Sequence, residues 1–301
     1  GFVDHWPIVA AARRSPQAVV EILRRFDNGT PVDAILLPPE CDGRIGYDPT
    51  MSGFNFVRNR LPVTAVAEQV LRYSAFPKAP AVAAQSALIR DCLPGLSGEN
   101  SLTLLPESVL PRIWLGNAIT TPTHLDEWNN IGCVIAGRRR FTLFPPGQIA
   151  NLYIGPLDFA PTGAPMSLVT LREPDFERFP NFRHALEAAV TAELSPGDAI
   201  FIPPLWWHHV ESLEPFNLLI NYWWHGITVG SGFDSLIAAI LNLRPLPDAT
   251  REAWRALFEH YVFGDQSGVM KHIPPQRRGV LGEHSPADAA KVREYLARRL
   301  T

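Results

Sequence analysis

The segment Thr121-Pro122-Thr123-His124-Leu125-Asp126 carries the pattern that decides the predicted fold. His124 and Asp126 are two residues apart, and they point to the same side of an extended segment because strand side chains alternate. Two such side chains can bind one metal ion, and a third ligand must come from elsewhere in the chain. The best candidate is His208, in the later segment Pro203-Pro204-Leu205-Trp206-Trp207-His208-His209-Val210.

Two histidines and one carboxylate match a known type of iron site. When they occupy one face of the ion and leave the opposite positions open, they form the facial triad of non-haem Fe(II) oxygenases. His209 competes with His208, but adjacent strand residues face opposite sides, so only one of them can bind the ion. The alternative is a strand-end His124 paired with Asp126, together with a satisfied core histidine.

Composition narrows the class of protein. Hydrophobic residues make up 46% and charged residues 19% of the 301-residue chain, which is typical of a compact globular protein. The net charge of −3 provides no polybasic surface, so we expect neither nucleic acid nor an anionic membrane as a partner. No run of about 18 apolar residues is present to span a membrane.

The compartment is predicted from the cysteines. Cys41, Cys92 and Cys133 are odd in number and lack metal-binding spacing, which favours a reduced, cytoplasmic location. The chain begins at Gly1 without Met, so we expect residues before it, and a removed targeting segment stays an alternative.

Short β segments separated by turns dominate residues 101–226 and predict a β-barrel or sandwich. The predicted strands lie at residues 102–105, 112–115, 131–135, 141–144, 199–202 and 216–224. Residues 155–181 are rich in Pro, Gly and Asp, and a loop of this length predicts a lid or a binding loop.

Helical patterns flank the barrel region. Before it, residues 17–26 and 63–73 predict helices, residues 32–37 predict a strand, and residues 44–47 and 54–56 predict two short strands. After it, residues 227–301 carry apolar stripes at helical spacing, which predict a helical appendage used for homodimerisation. Packing of these helices onto the barrel explains the same stripes equally well, because periodicity does not identify the partner surface.

Several motifs together resemble the JmjC, or cupin-like, 2-oxoglutarate oxygenases. Within that family the similarity is greatest to the asparaginyl hydroxylase that inhibits hypoxia-inducible factor. The motifs are His124-Leu-Asp126-Glu127, Leu143-Phe144-Pro145-Pro146, Phe176-Glu-Arg-Phe-Pro-Asn181-Phe182, Pro196-Gly-Asp198, Trp206-Trp-His-His-Val-Glu-Ser212 and Asn221-Tyr-Trp223. The resemblance implies a mainly β fold with helices, namely a double-stranded β-helix or jelly-roll barrel, with N-terminal α/β elements and a C-terminal helical appendage. It places the catalytic domain at residues 1–226, with its barrel core at about 101–226, and the helical region at 227–301.

The resemblance also implies cofactors and their ligands. His124, Asp126 and His208 would bind Fe(II), which takes 2-oxoglutarate as co-substrate and then O2. Arg139 stands where the family has a Lys that binds the far carboxylate of 2-oxoglutarate. Thr121 matches a Thr that hydrogen-bonds the same group, and a strand-forming residue at a strand end is the alternative. The neighbouring Arg138 and Arg140 make a solvated charge run the alternative, but on a strand Arg139 faces opposite to both.

Four further residues match family positions around the iron. Asn130 and Asn221 would lie near the iron-binding end of 2-oxoglutarate, although a structural hydrogen bond explains each nearly as well. Glu127, beside the ligand pair, would contact either a metal ligand or the substrate. Trp223 would lie on the substrate side, and a core aromatic is the alternative.

The chain departs from the family pattern at two places. The family's Tyr that contacts the co-substrate has no match around Val82-Ala83-Ala84-Gln85, and the Arg-Gln pair that holds the target asparagine is replaced by Pro165-Met166. We therefore predict an oxygenase that hydroxylates a side chain other than that asparagine in a protein or peptide. The alternatives are the same chemistry on a small molecule, or a non-catalytic cupin-like metal-binding or scaffold protein.

Overall fold

The computed structural model of the protein describes residues 1–161, 163–225, 231–283 and 285–300. The chain divides into two compact units, residues 1–225 and residues 226–301. The predicted boundary between a catalytic domain and a helical region stays a prediction.

Antiparallel strands form the first unit. In chain order they are β1 (Val32–Leu37), β2 (Val57–Leu61), β3 (Ala81–Leu88), β4 (Pro111–Gly116), β5 (Thr120–His124), β6 (Asn129–Ala136), β7 (Arg139–Phe144), β8 (Val190–Leu194), β9 (Ala199–Ile202), β10 (Trp207–Ser212) and β11 (Asn217–Trp224). One sheet has the order β2-β1-β3-β4-β11-β6-β9 and the other has the order β5-β10-β7-β8. This arrangement confirms the predicted mainly β fold of the cupin and JmjC type, with helices added to the sheets.

The two sheets enclose an apolar interior. Val134, Phe141, Leu194, Ile202 and Leu219 form this buried cluster, and they come from five different strands of both sheets. Because strand side chains alternate, the neighbours of these residues point outward, and Cys133, Ile135, Leu218 and Ile220 among them belong to a different core.

Helices pack against the outer faces of both sheets. Those of the first unit are α1 (Pro7–Arg14), α2 (Pro16–Phe26), α3 (Val63–Tyr73), α4 (Ile89–Cys92), α5 (Leu96–Glu99) and α6 (Phe182–Glu187). Ile8, Leu23 and Val66 from α1, α2 and α3 share one fully buried cluster with Ile113 and Ile220 of the sheet. Burial of each such side chain stabilises the fold by roughly 1.5–3 kcal/mol, so this layer holds the central strands in place.

Local signals explain the ends of two elements. The predicted helix at residues 17–26 begins one residue earlier, at Pro16, where the Ser15 side chain accepts a hydrogen bond from the Ala18 N–H at 3.1 Å. The turn between β6 and β7 requires Gly137, which has φ +70°, because a Cβ atom there would collide with Asn217.

Helices also form the described part of the second unit. They are α7 (Gly232–Leu243), α8 (Asp248–Phe258), α9 (Gln266–Val269) and α10 (Pro286–Leu300). Leu241, Trp254 and Leu257 are among the exposed apolar side chains of this unit. Homodimerisation through these helices stays a prediction.

Some strand predictions were wrong. Residues 44–47 and 54–56 contribute isolated bridges only, Arg44 with Thr120 and Tyr47 with Phe54, and residues 102–105 lie in turns. The edge strand β2 was not predicted because its side chains are mostly polar and exposed. The strand β3 was not predicted because its alanines have low strand propensity. The described residues of 155–181 contain neither a helix nor a strand, as predicted.

Among the described residues, no helix has both the length and the apolarity that crossing a bilayer requires. The cytoplasmic location stays a prediction.

The central strand β11 gives a test of the packing. Ile220 has no exposed surface, so Ile220→Ala should lower the free energy of unfolding by about 2–5 kcal/mol. The matched control is Val57→Ala on the edge strand β2, where Val57 is 67% exposed and the change should stay within about 0.5 kcal/mol. Urea denaturation followed by circular dichroism measures both values, and equal effects would contradict the assigned core.

Candidate metal centre

The candidate metal ligands meet where β5 and β10 pair. His208 lies directly opposite His124 in the antiparallel register, and the register shifts between His208 and Val210. The two imidazole ring centroids are 4.2 Å apart. One ligand atom each from His124, Asp126 and His208 lies within 4.8 Å of the others. The strands therefore place the three predicted ligands around one point.

Hydrogen bonds orient both imidazoles towards that point. Nδ1 of His124 is 2.8 Å from the carbonyl oxygen of Pro122, and Nδ1 of His208 is 3.0 Å from that of Trp206. A carbonyl oxygen only accepts, so each Nδ1 carries the proton and each Nε2 offers a lone pair. Burial, followed by the nearby His124, lowers the pKa of His208 to about 4, which keeps its ring neutral and able to bind a metal.

A tight turn before β10 contacts the segment that carries Asp126. Leu205 has φ +64°, a left-handed conformation that costs a residue with a side chain roughly 1–2 kcal/mol. Its N–H donates to the backbone oxygen of Asp126 at 2.8 Å. This bond ties the start of β10 to the loop that carries the carboxylate ligand.

His209 is not part of the cluster. It pairs with Thr142 of β7 and is buried, and burial lowers its pKa to about 3. The structure therefore places His208, rather than its neighbour, beside His124 and Asp126.

A chain of hydrogen bonds runs from a tryptophan to the ligand carboxylate. The indole N–H of Trp114 donates to Asn221 Oδ1 at 2.7 Å, and Asn221 Nδ2 donates to Asn130 Oδ1 at 3.0 Å. Asn130 Nδ2 then lies 3.4 Å from Asp126 Oδ2. Each amide uses its oxygen to accept and its nitrogen to donate, so the indole fixes the orientation of both amides. We call these four residues the amide relay.

The ligands line a cavity of about 340 Å³ between the two sheets. Thr121 and Arg139 line the same cavity, and so does Gln85, which sequence reasoning did not select. Gln85 lies in a bulge of β3, at the place where the family's Tyr has no match, and no pattern in the sequence indicates that it faces inward.

Arg139 is a buried cation without a partner in this cavity. The residue is 8% exposed, its Nε has no hydrogen-bond partner, and its guanidinium makes no hydrogen bond or ion pair with another side chain or backbone group that the structure describes. Burial lowers its pKa to about 10. Arg138 is exposed and Arg140 is partly exposed, and both form ion pairs with Glu193. The alternation of the strand thus separates one inward guanidinium from two solvated ones.

These residues fit Fe(II) and 2-oxoglutarate. Two neutral imidazoles and one carboxylate are the donor set of a facial iron site. An unpaired guanidinium that lines the same cavity as Thr121 suits a carboxylate, which can accept two parallel hydrogen bonds from it. Glu127 is half-buried and does not line the cavity.

A second depression shares a wall with the cavity. This outer groove has a volume of about 380 Å³ and is lined by Leu88, Leu110, Arg112, Asp126, Trp128 and Trp223, among others. Asp126 and Trp223 line both the cavity and the outer groove. The metal-binding point therefore borders both spaces.

The chain belongs to the family described as the cupin-like domain, which it matches over residues 1–228. It is 34% identical to human HSPB1-associated protein 1 over 168 residues, which cover 54% of this chain and 32% of that protein. It is also 34% identical to lysine-specific demethylase JMJ31 of Arabidopsis thaliana over 114 residues, 38% of this chain and 20% of that protein. The chain thus spans about a third or less of these relatives. The narrower resemblance to the asparaginyl hydroxylase stays a prediction.

Among solved structures, the chain is similar to YcfD, a ribosomal oxygenase from Escherichia coli, in complex with cobalt and 2-oxoglutarate. The two are 16% identical, with a TM-score of 0.37 over 95% of this chain and 59% of that one. At that level the similarity adds nothing to the family assignment.

Arg139→Met tests the role of the unpaired cation. Methionine has a similar volume but no charge. Replacing the buried guanidinium with it should raise the free energy of unfolding of the metal-free protein by about 1 kcal/mol. The same change should abolish the rise in melting temperature that 2-oxoglutarate with Co(II) gives the wild type. Thermal denaturation measures both effects, with the exposed Arg138→Met as control. An unchanged response to 2-oxoglutarate would contradict a role of Arg139 in binding it.

Trp114→Phe tests the amide relay. Loss of the indole N–H leaves Asn221 free to rotate, so the affinity for Co(II) should fall about tenfold, as should that of Asn130→Ala. Because both residues belong to the amide relay, the double variant should lose little more Co(II) affinity than either single variant. Titration followed by Co(II) absorption measures the affinity, with Trp128→Phe outside the relay as control. Full additivity of the two losses would exclude the relay.

Proposed function

We propose that this protein is an Fe(II)- and 2-oxoglutarate-dependent oxygenase that hydroxylates a side chain of a protein or peptide. One observation carries the proposal. A two-histidine, one-carboxylate cluster and an unpaired buried guanidinium line the same cavity. A metal-binding protein without turnover has no use for the second feature, since a buried unpaired cation lowers stability.

Each part of the cavity has a task in this reaction. His124, Asp126 and His208 would hold the metal from one side, and Arg139 with Thr121 would bind the far carboxylate of 2-oxoglutarate. Apolar side chains, including Phe141, Val210 and Leu219, line the space between them and exclude water. Bound iron and 2-oxoglutarate supply the oxidation, in which O2 is consumed, 2-oxoglutarate becomes succinate and CO2, and a substrate C–H bond gains oxygen.

The outer groove favours a polymeric substrate over a small molecule. It opens to solvent beside Asp126, and its wall includes Trp128, which is 45% exposed. An enclosed second chamber would suit a small molecule better. A peptide can lie along an open groove and present one side chain to the metal, so a protein side chain is the substrate that this surface suits best.

Anaerobic spectroscopy tests the proposal. Addition of Fe(II) and then 2-oxoglutarate to metal-free protein should produce the visible charge-transfer band of the iron chelate. His208→Ala should lose the band because it loses a ligand, and Arg139→Ala should require far more 2-oxoglutarate to reach it. The neighbouring His209→Gln, outside the cluster, is the matched control and should keep the band. Iron-bound wild-type protein without a band would contradict the proposal and favour a cupin-like scaffold.

A further inference from the structure

The outer groove is the surface where this chain would select its substrate, and this inference rests on the proposed function. Asp126 and Trp223 form the shared wall, so a residue lying in the groove would be next to the metal ligands. Leu88 and Leu110 add apolar surface, and the ring of Trp128 is supported by His225 at a centroid distance of 4.1 Å. The groove therefore combines an apolar wall with access to the reacting centre.

Arg112 provides the charge of the groove. It lies on β4 directly opposite Asn221, and its Cζ is 5.6 Å from the centroid of the Trp223 ring. It is the one cationic side chain among the described residues that line the groove. Asp126 is the acidic one, and a divalent metal ion would more than offset its charge. With metal bound, the groove therefore carries a net positive charge.

The guanidinium of Arg112 is oriented in advance and is only partly used. Its Nη1 donates to the backbone oxygen of Ser86 at 2.8 Å and lies 3.2 Å from the Ser86 hydroxyl. Nε and Nη2 make no hydrogen bond or ion pair with any other residue in the described part of the chain. Burial lowers the pKa of Arg112, while Asp91, which is paired with Arg90 at 3.1 Å, acts in the opposite direction.

We propose that the outer groove binds an extended peptide segment in which an Asp or Glu lies within about two residues of the oxidised residue. The carboxylate accepts hydrogen bonds from Nε and Nη2 of Arg112, the edge of the guanidinium that Ser86 leaves open. The apolar wall holds the adjacent side chain, and the next residue reaches past Asp126. Arg112 and Asp126 line the same groove, so the carboxylate and the oxidised residue would lie close together in the peptide.

A purely structural role for Arg112 makes a different prediction. Ser86 has φ +50° and lies in the bulge of β3 between Ala84 and Ala87, so Arg112 also stabilises this bend. If that were its whole role, substitution of Arg112 would lower stability and activity equally for substrates of every charge. Dependence on the charge of the substrate separates the two roles.

The experiment uses three pools of fluorescein-labelled nonapeptides with Glu, Gln or Lys fixed at the central position. All other positions vary over the uncharged residues. Binding to the protein with Co(II) and 2-oxoglutarate is measured by fluorescence anisotropy, and succinate formation is measured with Fe(II) in air. The wild type should bind the Glu pool about tenfold more tightly than the Gln pool and should favour it in turnover.

Variants at Arg112 should shift this preference in a defined order. Arg112→Lys should keep a weaker preference for the Glu pool, Arg112→Gln should lose it, and Arg112→Glu should favour the Lys pool. Arg14→Gln, an exposed arginine of α1, is the matched control and should behave as the wild type. Circular dichroism checks that each variant folds. If a variant does not fold, the comparison of wild-type binding to the Glu and Gln pools still tests the proposal.

Two failures can be told apart. If the iron chelate band forms but the wild type binds the Glu and Gln pools equally, the groove assignment is wrong and the proposed function stands. If no chelate band forms, the proposed function is wrong, whatever the pools show. Equal loss of binding to all three pools in Arg112→Gln would identify Arg112 as a structural residue only.

Discussion

The pairing register of β5 and β10 is the constraint on which the site depends. His124 and His208 would bind one metal ion together because they lie opposite each other and both line the cavity. A slip of one residue would turn every side chain of β10 to the other face and present His209 in place of His208. The left-handed turn at Leu205 and its hydrogen bond to Asp126 oppose such a slip at the start of β10.

Polar groups inside the barrel follow from the same architecture. The inner face of β11 carries Leu219, Asn221 and Trp223, so an amide is buried among aromatic rings and must find partners. The amide relay satisfies it and at the same time reaches Asp126 Oδ2. A single set of hydrogen bonds therefore compensates the burial of two amides and limits the rotation of a metal ligand.

Arg139 differs from the two buried amides, because its buried side chain has no partner among the described residues. Its two neighbours lie on the outer face, where Glu193 and other carboxylates neutralise them. The inward guanidinium has no such partner among the described residues, and it lowers the stability of the ligand-free protein. A bound carboxylate would remove that cost, so binding and stability are coupled at this position. In the outer groove, the guanidinium of Arg112 is likewise only partly hydrogen-bonded.

The sequence, through its motifs and their resemblance to a family, determined the fold class and the three candidate ligands. Strand alternation determined that Arg139 faces opposite to Arg138 and Arg140, because that direction depends on local periodicity alone. The sequence did not reveal the edge strand β2, the inward Gln85 or the link between Trp114 and Asp126. These depend on strand order and on a bulge, which bring together residues far apart in the chain. The outer groove likewise exists only where β4, β11 and the segment after β5 meet. Contacts between distant segments leave no periodic signal, so only the tertiary structure decided them.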